Sequence, residues 1–111
     1  MALRDIHKRL AQFREKRNWS QFHNPKDLAI SVSLEASELL ENFQWSGTDL
    51  VAENKKEAIS EELADVMIYC MYLADSLDIN LEDAINAKID KNEKKYPVDK
   101  SFGTSRKYTE L

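Results

Sequence analysis

Four acidic residues form two pairs whose members lie three positions apart: Glu35 with Glu38, and Glu62 with Asp65. At this spacing both carboxylates of a pair lie on one side of a helix, with Cβ atoms about 5–6 Å apart. Each pair borders an apolar stripe, so the four carboxylates should converge in a dry setting, where they repel one another and are costly to desolvate. A divalent cation relieves that repulsion, and oxygen-only ligands favour Mg²⁺, with Mn²⁺ as an alternative. We therefore predict a metal site at these four residues.

Four helices are predicted to position the acids, because apolar residues recur at helical spacing in four segments. Asn24 should cap the second helix, with Pro25 in its first position. Glu57 should complete a capping box at the start of the third helix, and Asn80 should cap the fourth. The predicted helices cover about residues 3–16, 25–43, 54–77 and 81–96.

The helices are too amphipathic to stand alone, so we predict an all-α fold in the form of a four-helix bundle. Two glycines and two prolines in 111 residues also favour long helices over a sheet. Residues 1–111 should form one domain with an irregular tail over 98–111. Apolar residues extend around much of the third helix, which predicts that the bundle self-associates; they include Met67, Ile68, Met71 and Tyr72.

The charge and composition of the chain exclude some classes of binding partner and indicate a cellular location. The formal net charge of −4 argues against binding to a nucleic-acid backbone. No apolar run is long enough to span a bilayer, which predicts no membrane partner. The lone Cys70 cannot form an internal disulfide, so a reducing cytoplasmic location is expected.

Aromatic side chains cluster near the predicted helix ends and the acidic line. Trp19, Phe22, Trp45 and Tyr69 could hold a flat base by stacking, or they could close the ends of the bundle. His23 could contact a ligand or hydrogen-bond the chain near the start of the second helix. The sequence leaves both pairs of alternatives open.

A carboxylate bundle could also hold two iron ions, but such sites take a histidine three residues after a glutamate on two helices. Here Glu38 and Asp65 occupy those positions, and the two histidines, His7 and His23, lie elsewhere. The all-oxygen set favours magnesium chemistry such as phosphoryl transfer. In that chemistry we predict that Glu38 is the base that accepts a proton from an attacking water.

Motifs beyond the acids extend over most of the chain. They are RNWSQFHNP at 17–25, FQW at 43–45, EELADVMIY at 61–69, KIDKN at 88–92, YP at 96–97 and KYTEL at 107–111. Together with the E-x-x-E and E-x-x-D pairs, the sequence resembles the MazG-like all-α nucleoside triphosphate pyrophosphohydrolases, and within them the dCTP pyrophosphatase branch.

The resemblance implies Mg²⁺-dependent hydrolysis of a nucleoside triphosphate to a monophosphate and pyrophosphate, with the four acids as metal ligands. It implies that Trp19, Trp45 and Tyr69 contact the nucleoside and that Lys88 and Asn92 help to bind the phosphates. It also implies a homo-oligomer, either a dimer or a tetramer built as a dimer of dimers, in which a site can include residues of a neighbouring subunit.

The resemblance does not determine which nucleobase the substrate contains. Vertebrate-type members have a base-contacting histidine on the first helix where this chain has Leu10. The expected substrate is dCTP or a related or modified deoxynucleotide, in a nucleotide-pool house-cleaning role. Two alternatives stay open: an all-α dUTPase-type enzyme, and a non-catalytic helical module whose acids are solvated and bind no metal.

Overall fold

The computed structural model describes residues 2–111, which form helices, turns and connecting loops. No strand occurs in this range, so the all-α prediction is confirmed. The four long helices are α1 (Leu3–Lys16), α2 (Pro25–Glu41), α3 (Lys56–Ser76) and α4 (Leu81–Lys95).

Two helix starts follow the predicted capping chemistry. The side-chain oxygen of Asn24 accepts a hydrogen bond from the backbone N–H of Asp27 at 2.9 Å, and Pro25 occupies the first position of α2. The side-chain oxygen of Asn80 accepts from the N–H of Asp83 at 3.0 Å. Each bond satisfies a backbone donor that has no partner inside its helix, which is why the helices begin there.

The predicted start of the third helix is wrong. A 3-10 turn covers Glu53–Lys55, α3 begins at Lys56, and no side chain caps it. The entry to α3 is organised instead by Asp49, whose Oδ1 accepts from the N–H groups of Val51 and Ala52 at 3.2 and 3.1 Å. Ala52 is left-handed at φ +49°, a conformation that turns the chain before the helix can start.

The chain divides into two compact units, one ending at Ile79 and the other spanning Asn80–Leu111. The second unit contains α4 and a tail that is more regular than predicted. A short helix, α5, covers Val98–Ser101, and a 3-10 turn covers Tyr108–Glu110. The Tyr108 ring meets the Tyr96 ring edge-on at 6.0 Å between centroids, which ties the tail to the end of α4. The single domain over 1–111 stays a prediction.

In the first unit α2 packs antiparallel against α3. Leu28 of α2 shares a cavity with Tyr69 of α3, whereas Glu35, two turns later on α2, meets Glu62 and Asp65, which precede Tyr69. The buried apolar side chains of this unit are Leu28, Ala52, Met71, Tyr72 and Ala74.

Two polar contacts join α1 to α3. His7 Nδ1 lies 3.1 Å from Asp75 Oδ1, and the Tyr72 hydroxyl donates to the Leu10 carbonyl at 3.2 Å. Because the residue number rises on α1 as it falls on α3, these two helices are also antiparallel. Their separation leaves a cavity between them, described below.

Large apolar side chains remain exposed on α2 and α3. Leu34 and Leu40 are 60% and 68% exposed, and Leu63 and Met67 are 51% and 45% exposed. Met67 belongs to the apolar surface of the third helix that predicts self-association, and one chain leaves part of that surface uncovered. No helix within residues 2–111 has both the length and the apolar character needed to cross a membrane.

Candidate active site

Three of the four predicted acids meet between α2 and α3. Glu35, Glu62 and Asp65 each offer a carboxylate oxygen, and these oxygens lie within 4.8 Å of one another. Glu62 and Asp65 come together because they are one turn apart on α3. Glu35 joins them because α2 packs antiparallel against that turn. We call these three residues the carboxylate cluster.

The cluster is partly shielded from water. Oε2 of Glu35 and Oε2 of Glu62 are both buried, and neither has a hydrogen-bond partner among residues 2–111. Partial burial, the adjacent Glu38 carboxyl and the charges of Asp65 and Glu62 together raise the pKa of Glu35 to about 7. Partial burial, and then Glu38 and Asp65, also raise the pKa of Glu62. Carboxylates held together without a compensating positive charge account for both directions.

The predicted ligand Glu38 occupies a different position from the other three. It is exposed, and it lies next to Glu35 and Glu62 rather than within the cluster. Unlike Glu62 and Asp65 on α3, Glu35 and Glu38 do not both reach the cluster, because the displacement of α2 along α3 places only Glu35 against that turn. Glu38 therefore borders the cluster from the solvent side.

The cluster suits a hard divalent cation. Its donors are all carboxylate oxygens, the ligand type that Mg²⁺ and Mn²⁺ prefer. The buried oxygens of Glu35 and Glu62 have no protein donor to satisfy them, and a cation would supply that partner. The residues present thus fit the metal that the motifs imply.

A cavity of about 480 Å³ lies beside the cluster, between α1 and α3. Asp65 belongs to both the cluster and the cavity wall, so the two features adjoin. Trp19 closes one side and is held by Phe13, whose ring it meets nearly at right angles at 5.6 Å. From α1 the wall takes Ile6, Arg9, Leu10 and Phe13; from α3 it takes Asp65, Ile68, Tyr69 and Tyr72. We call this space the aromatic cavity.

A second cavity, of about 310 Å³, adjoins the first, and Trp19 and Tyr69 line both. His23 lines the second cavity and packs against the Tyr72 ring at 4.8 Å between centroids. Burial, followed by the positive charge of Arg14, lowers the pKa of His23. Thus Trp19, Tyr69 and His23, all predicted from the sequence, meet in one region of the first unit.

The other predicted contact residues lie elsewhere. Trp45 is 84% exposed and lines a separate cavity with Asp49 and Lys55, which shares no residue with the aromatic cavity. Lys88 and Asn92 are exposed on α4, one turn apart, in the second unit. The roles of these three residues stay predictions.

Sequence reasoning missed several residues of the aromatic cavity. Phe13 was not singled out, and Tyr72 was assigned to the apolar surface of the third helix. Arg9 was not singled out, although a cation three residues after Ile6 and four before Phe13 lies on the same helix face. A charged residue within an apolar stripe is the signal that could have identified it.

Comparison with known proteins agrees with this architecture. The sequence profile of the MazG-like family matches residues 30–111. A crystal structure of a pyrophosphatase from Archaeoglobus fulgidus superposes with a TM-score of 0.80 at 42% sequence identity, covering 86% of this chain and 92% of that one. The chain therefore belongs to the MazG-like family.

Individual relatives define the branch. dCTP pyrophosphatase 1 from Homo sapiens is 39% identical over 114 aligned positions, which cover 98% of this chain and 67% of that protein. The Bos taurus protein of the same name is 38% identical over 98% of this chain and 68% of its own length. These similarities confirm the dCTP pyrophosphatase branch that the motifs indicated.

Proposed function

We propose that this protein hydrolyses nucleoside triphosphates to the monophosphate and pyrophosphate, and that dCTP or a related or modified deoxynucleotide is its substrate in nucleotide-pool house-cleaning. The observation that carries the proposal is the position of Asp65, which belongs to the carboxylate cluster and also lines the aromatic cavity. A triphosphate held at the cluster could therefore extend its nucleoside into that cavity. The curated dCTP pyrophosphatase relatives support the same activity.

Glu35, Glu62 and Asp65 would hold Mg²⁺, with Mn²⁺ as a substitute, and Glu38 would join them from the rim. When bound, the metal would neutralise charge on the triphosphate oxygens and make a water a stronger acid. The raised pKa values of Glu35 and Glu62 support this assignment, because they reflect partial burial together with negative charge that the protein itself leaves uncompensated.

Glu38 suits the role of general base because it is exposed beside the cluster and lies outside it. A carboxylate not fully engaged by metal can accept the proton of the attacking water. The water oxygen bonds to the α-phosphorus, and the bond from that phosphorus to the α–β bridging oxygen breaks. Pyrophosphate leaves with its negative charge, which Lys88 and Asn92 would help to stabilise.

Trp19 and Tyr69 would contact the nucleoside, since both line the aromatic cavity and offer ring faces or edges to a base. His23 would support them from the second cavity, next to Tyr72. Trp45 is 84% exposed, so in an oligomer it would be free to contact a nucleoside bound at a neighbouring subunit.

We also propose a homo-oligomer, a dimer or a tetramer of two dimers, joined through the exposed apolar side chains of α2 and α3. Replacing Leu34 with arginine should shift the protein toward the monomer, because an unpaired charge buried in such an interface is costly. Size-exclusion chromatography with light scattering measures the change. Lys26→Ala is a matched control, since this exposed residue of α2 lies near the helix start. A wild-type monomer at high concentration would contradict the proposal.

The function is tested with a panel of deoxynucleoside triphosphates, assayed for pyrophosphate release with Mg²⁺, with Mn²⁺ and with EDTA. Metal-dependent pyrophosphate release with a preference for dCTP or a modified analogue is the expected result. A preference for dUTP would favour the dUTPase alternative. No release from any triphosphate, and no Mg²⁺ binding by calorimetry, would favour the non-catalytic module.

A further inference from the structure

Two charged side chains line the otherwise apolar and aromatic wall of the aromatic cavity: Arg9 and Asp65. Asp65 already belongs to the carboxylate cluster. Arg9 makes no salt bridge with any residue from Ala2 to Leu111. Arg9 is exposed, and its side chain makes no hydrogen bond with these residues, so its five guanidinium N–H donors are open to a ligand in the cavity.

The orientation of α1 about its own axis is set by the two contacts to α3. His7 pairs with Asp75 at 3.1 Å, and Leu10 accepts from Tyr72 at 3.2 Å. These contacts are three residues apart on each helix, so a rotation of α1 would break both. The two contacts therefore keep the face of α1 that contains Arg9 directed toward the cavity.

Arg9 and the carboxylate cluster contribute to opposite ends of the cavity. Arg9 lies beside Leu10, which is level with Tyr72, and Asp65 precedes Tyr72 by seven residues on α3. At 1.5 Å per residue, that separation is about 10 Å along α3. A triphosphate bound at Asp65 therefore has its phosphates at the far end from Arg9. The part of the ligand nearest to Arg9 is the base.

We propose that Arg9 is a specificity-determining residue that reads the edge of the base. The inference rests on the proposed nucleotide function. An arginine donates two parallel hydrogen bonds to a pair of neighbouring acceptors. Cytosine presents such a pair in O2 and N3, whereas uracil and thymine carry a hydrogen on N3 that opposes the guanidinium. Arg9 thereby selects a cytosine nucleotide over a uracil nucleotide.

The test uses dCMP and dUMP, whose bases differ only at N3 and C4, with the 111-residue protein at saturating Mg²⁺, so that the carboxylate cluster does not repel the monophosphate. Calorimetry measures the affinity of the wild type and of the variants Arg9→Ala, Arg9→Lys and Arg4→Ala. We expect Arg9→Ala to weaken dCMP binding by about tenfold, the typical discrimination of one bidentate pair, with little change for dUMP. Arg9→Lys keeps the positive charge but cannot donate two parallel hydrogen bonds, so this variant should also lose the preference for dCMP over dUMP. Arg4 is exposed like Arg9 but does not line the cavity, so Arg4→Ala should behave as the wild type.

Equal weakening of dCMP and dUMP in Arg9→Ala would overturn the inference in favour of simple charge attraction. An undiminished dCMP preference in either Arg9 variant, or no wild-type preference, would also overturn it. Circular dichroism checks that the variants fold. Because binding of a monophosphate involves no turnover, an Arg9-dependent dCMP preference without pyrophosphate release from any triphosphate would refute the hydrolase proposal alone. Normal hydrolysis with an Arg9-independent preference would refute this inference alone.

Discussion

Replacing Asp65 with alanine should reduce pyrophosphate release by about a thousandfold or more, because metal ions and their ligands supply several kcal/mol of transition-state stabilisation. Asp65 contributes to two features at once: it is a member of the carboxylate cluster and part of the wall of the aromatic cavity. Its loss should weaken metal binding and alter the substrate position together. Steady-state kinetics at saturating Mg²⁺ measures the effect.

The matched control is Glu61→Ala, which removes an acid one turn before Asp65 on α3. Glu61 is exposed and lies outside the carboxylate cluster, so its variant should retain nearly the full rate. Both variants should keep the helical circular-dichroism spectrum. If Asp65→Ala retained a tenth or more of the wild-type rate, the assignment of the cluster as the metal site would be wrong.

Without metal, the protein should lose stability as the pH rises, because the pKa of Glu35 is raised from 4.5 to about 7. Between these values the folded state binds more protons than the unfolded state. The stabilisation is fully present below pH 4.5 and is lost as the pH rises through about 7. The shift corresponds to at most about 3–4 kcal/mol. Solvent screening at this half-buried site reduces the expected change to about 1–2 kcal/mol. Urea unfolding in EDTA at pH 5 and pH 8 measures it.

The variant Glu35→Gln isolates this contribution. It cannot ionise, so the metal-free variant should be more stable than the wild type at pH 8 and should depend less on pH. The stability of this variant should keep a weaker dependence on pH than that of the wild type, because the pKa of Glu62 is also raised. Added Mg²⁺ should raise the melting temperature of the wild type by mass action and that of Glu35→Gln much less. Glu57→Gln, an exposed acid in the first turn of α3, is the control. Identical pH dependence in wild type and Glu35→Gln would contradict the prediction.

The two experiments separate chemistry from folding. Asp65→Ala tests whether the acids carry turnover, and Glu35→Gln tests whether the same acids strain the metal-free fold. A loss of activity together with a gain in metal-free stability is the expected signature of residues kept for function rather than for packing. A site that merely stabilised the fold would lose stability in both variants.

The sequence by itself determined where the long helices lie and which acids share a helix face, because both depend on local spacing. Asn24 and Asn80 cap their helices through bonds to residues only three positions away, so sequence alone located these starts. Glu62 and Asp65 share a face for the same reason. The start of α3 was missed because it depends on the left-handed Ala52 and the bonds to Asp49, which helical periodicity does not reveal.

Only the tertiary structure decided which side chains meet across the helices. That Glu35 joins the carboxylate cluster while Glu38 stays on its rim depends on how far α2 is displaced along α3. That Arg9 lines the aromatic cavity depends on the rotation of α1, which the contacts of His7 and Leu10 with α3 set. Axial displacement and rotation between helices arise from packing between residues distant in sequence, and a repeat of 3.6 residues carries no information about either.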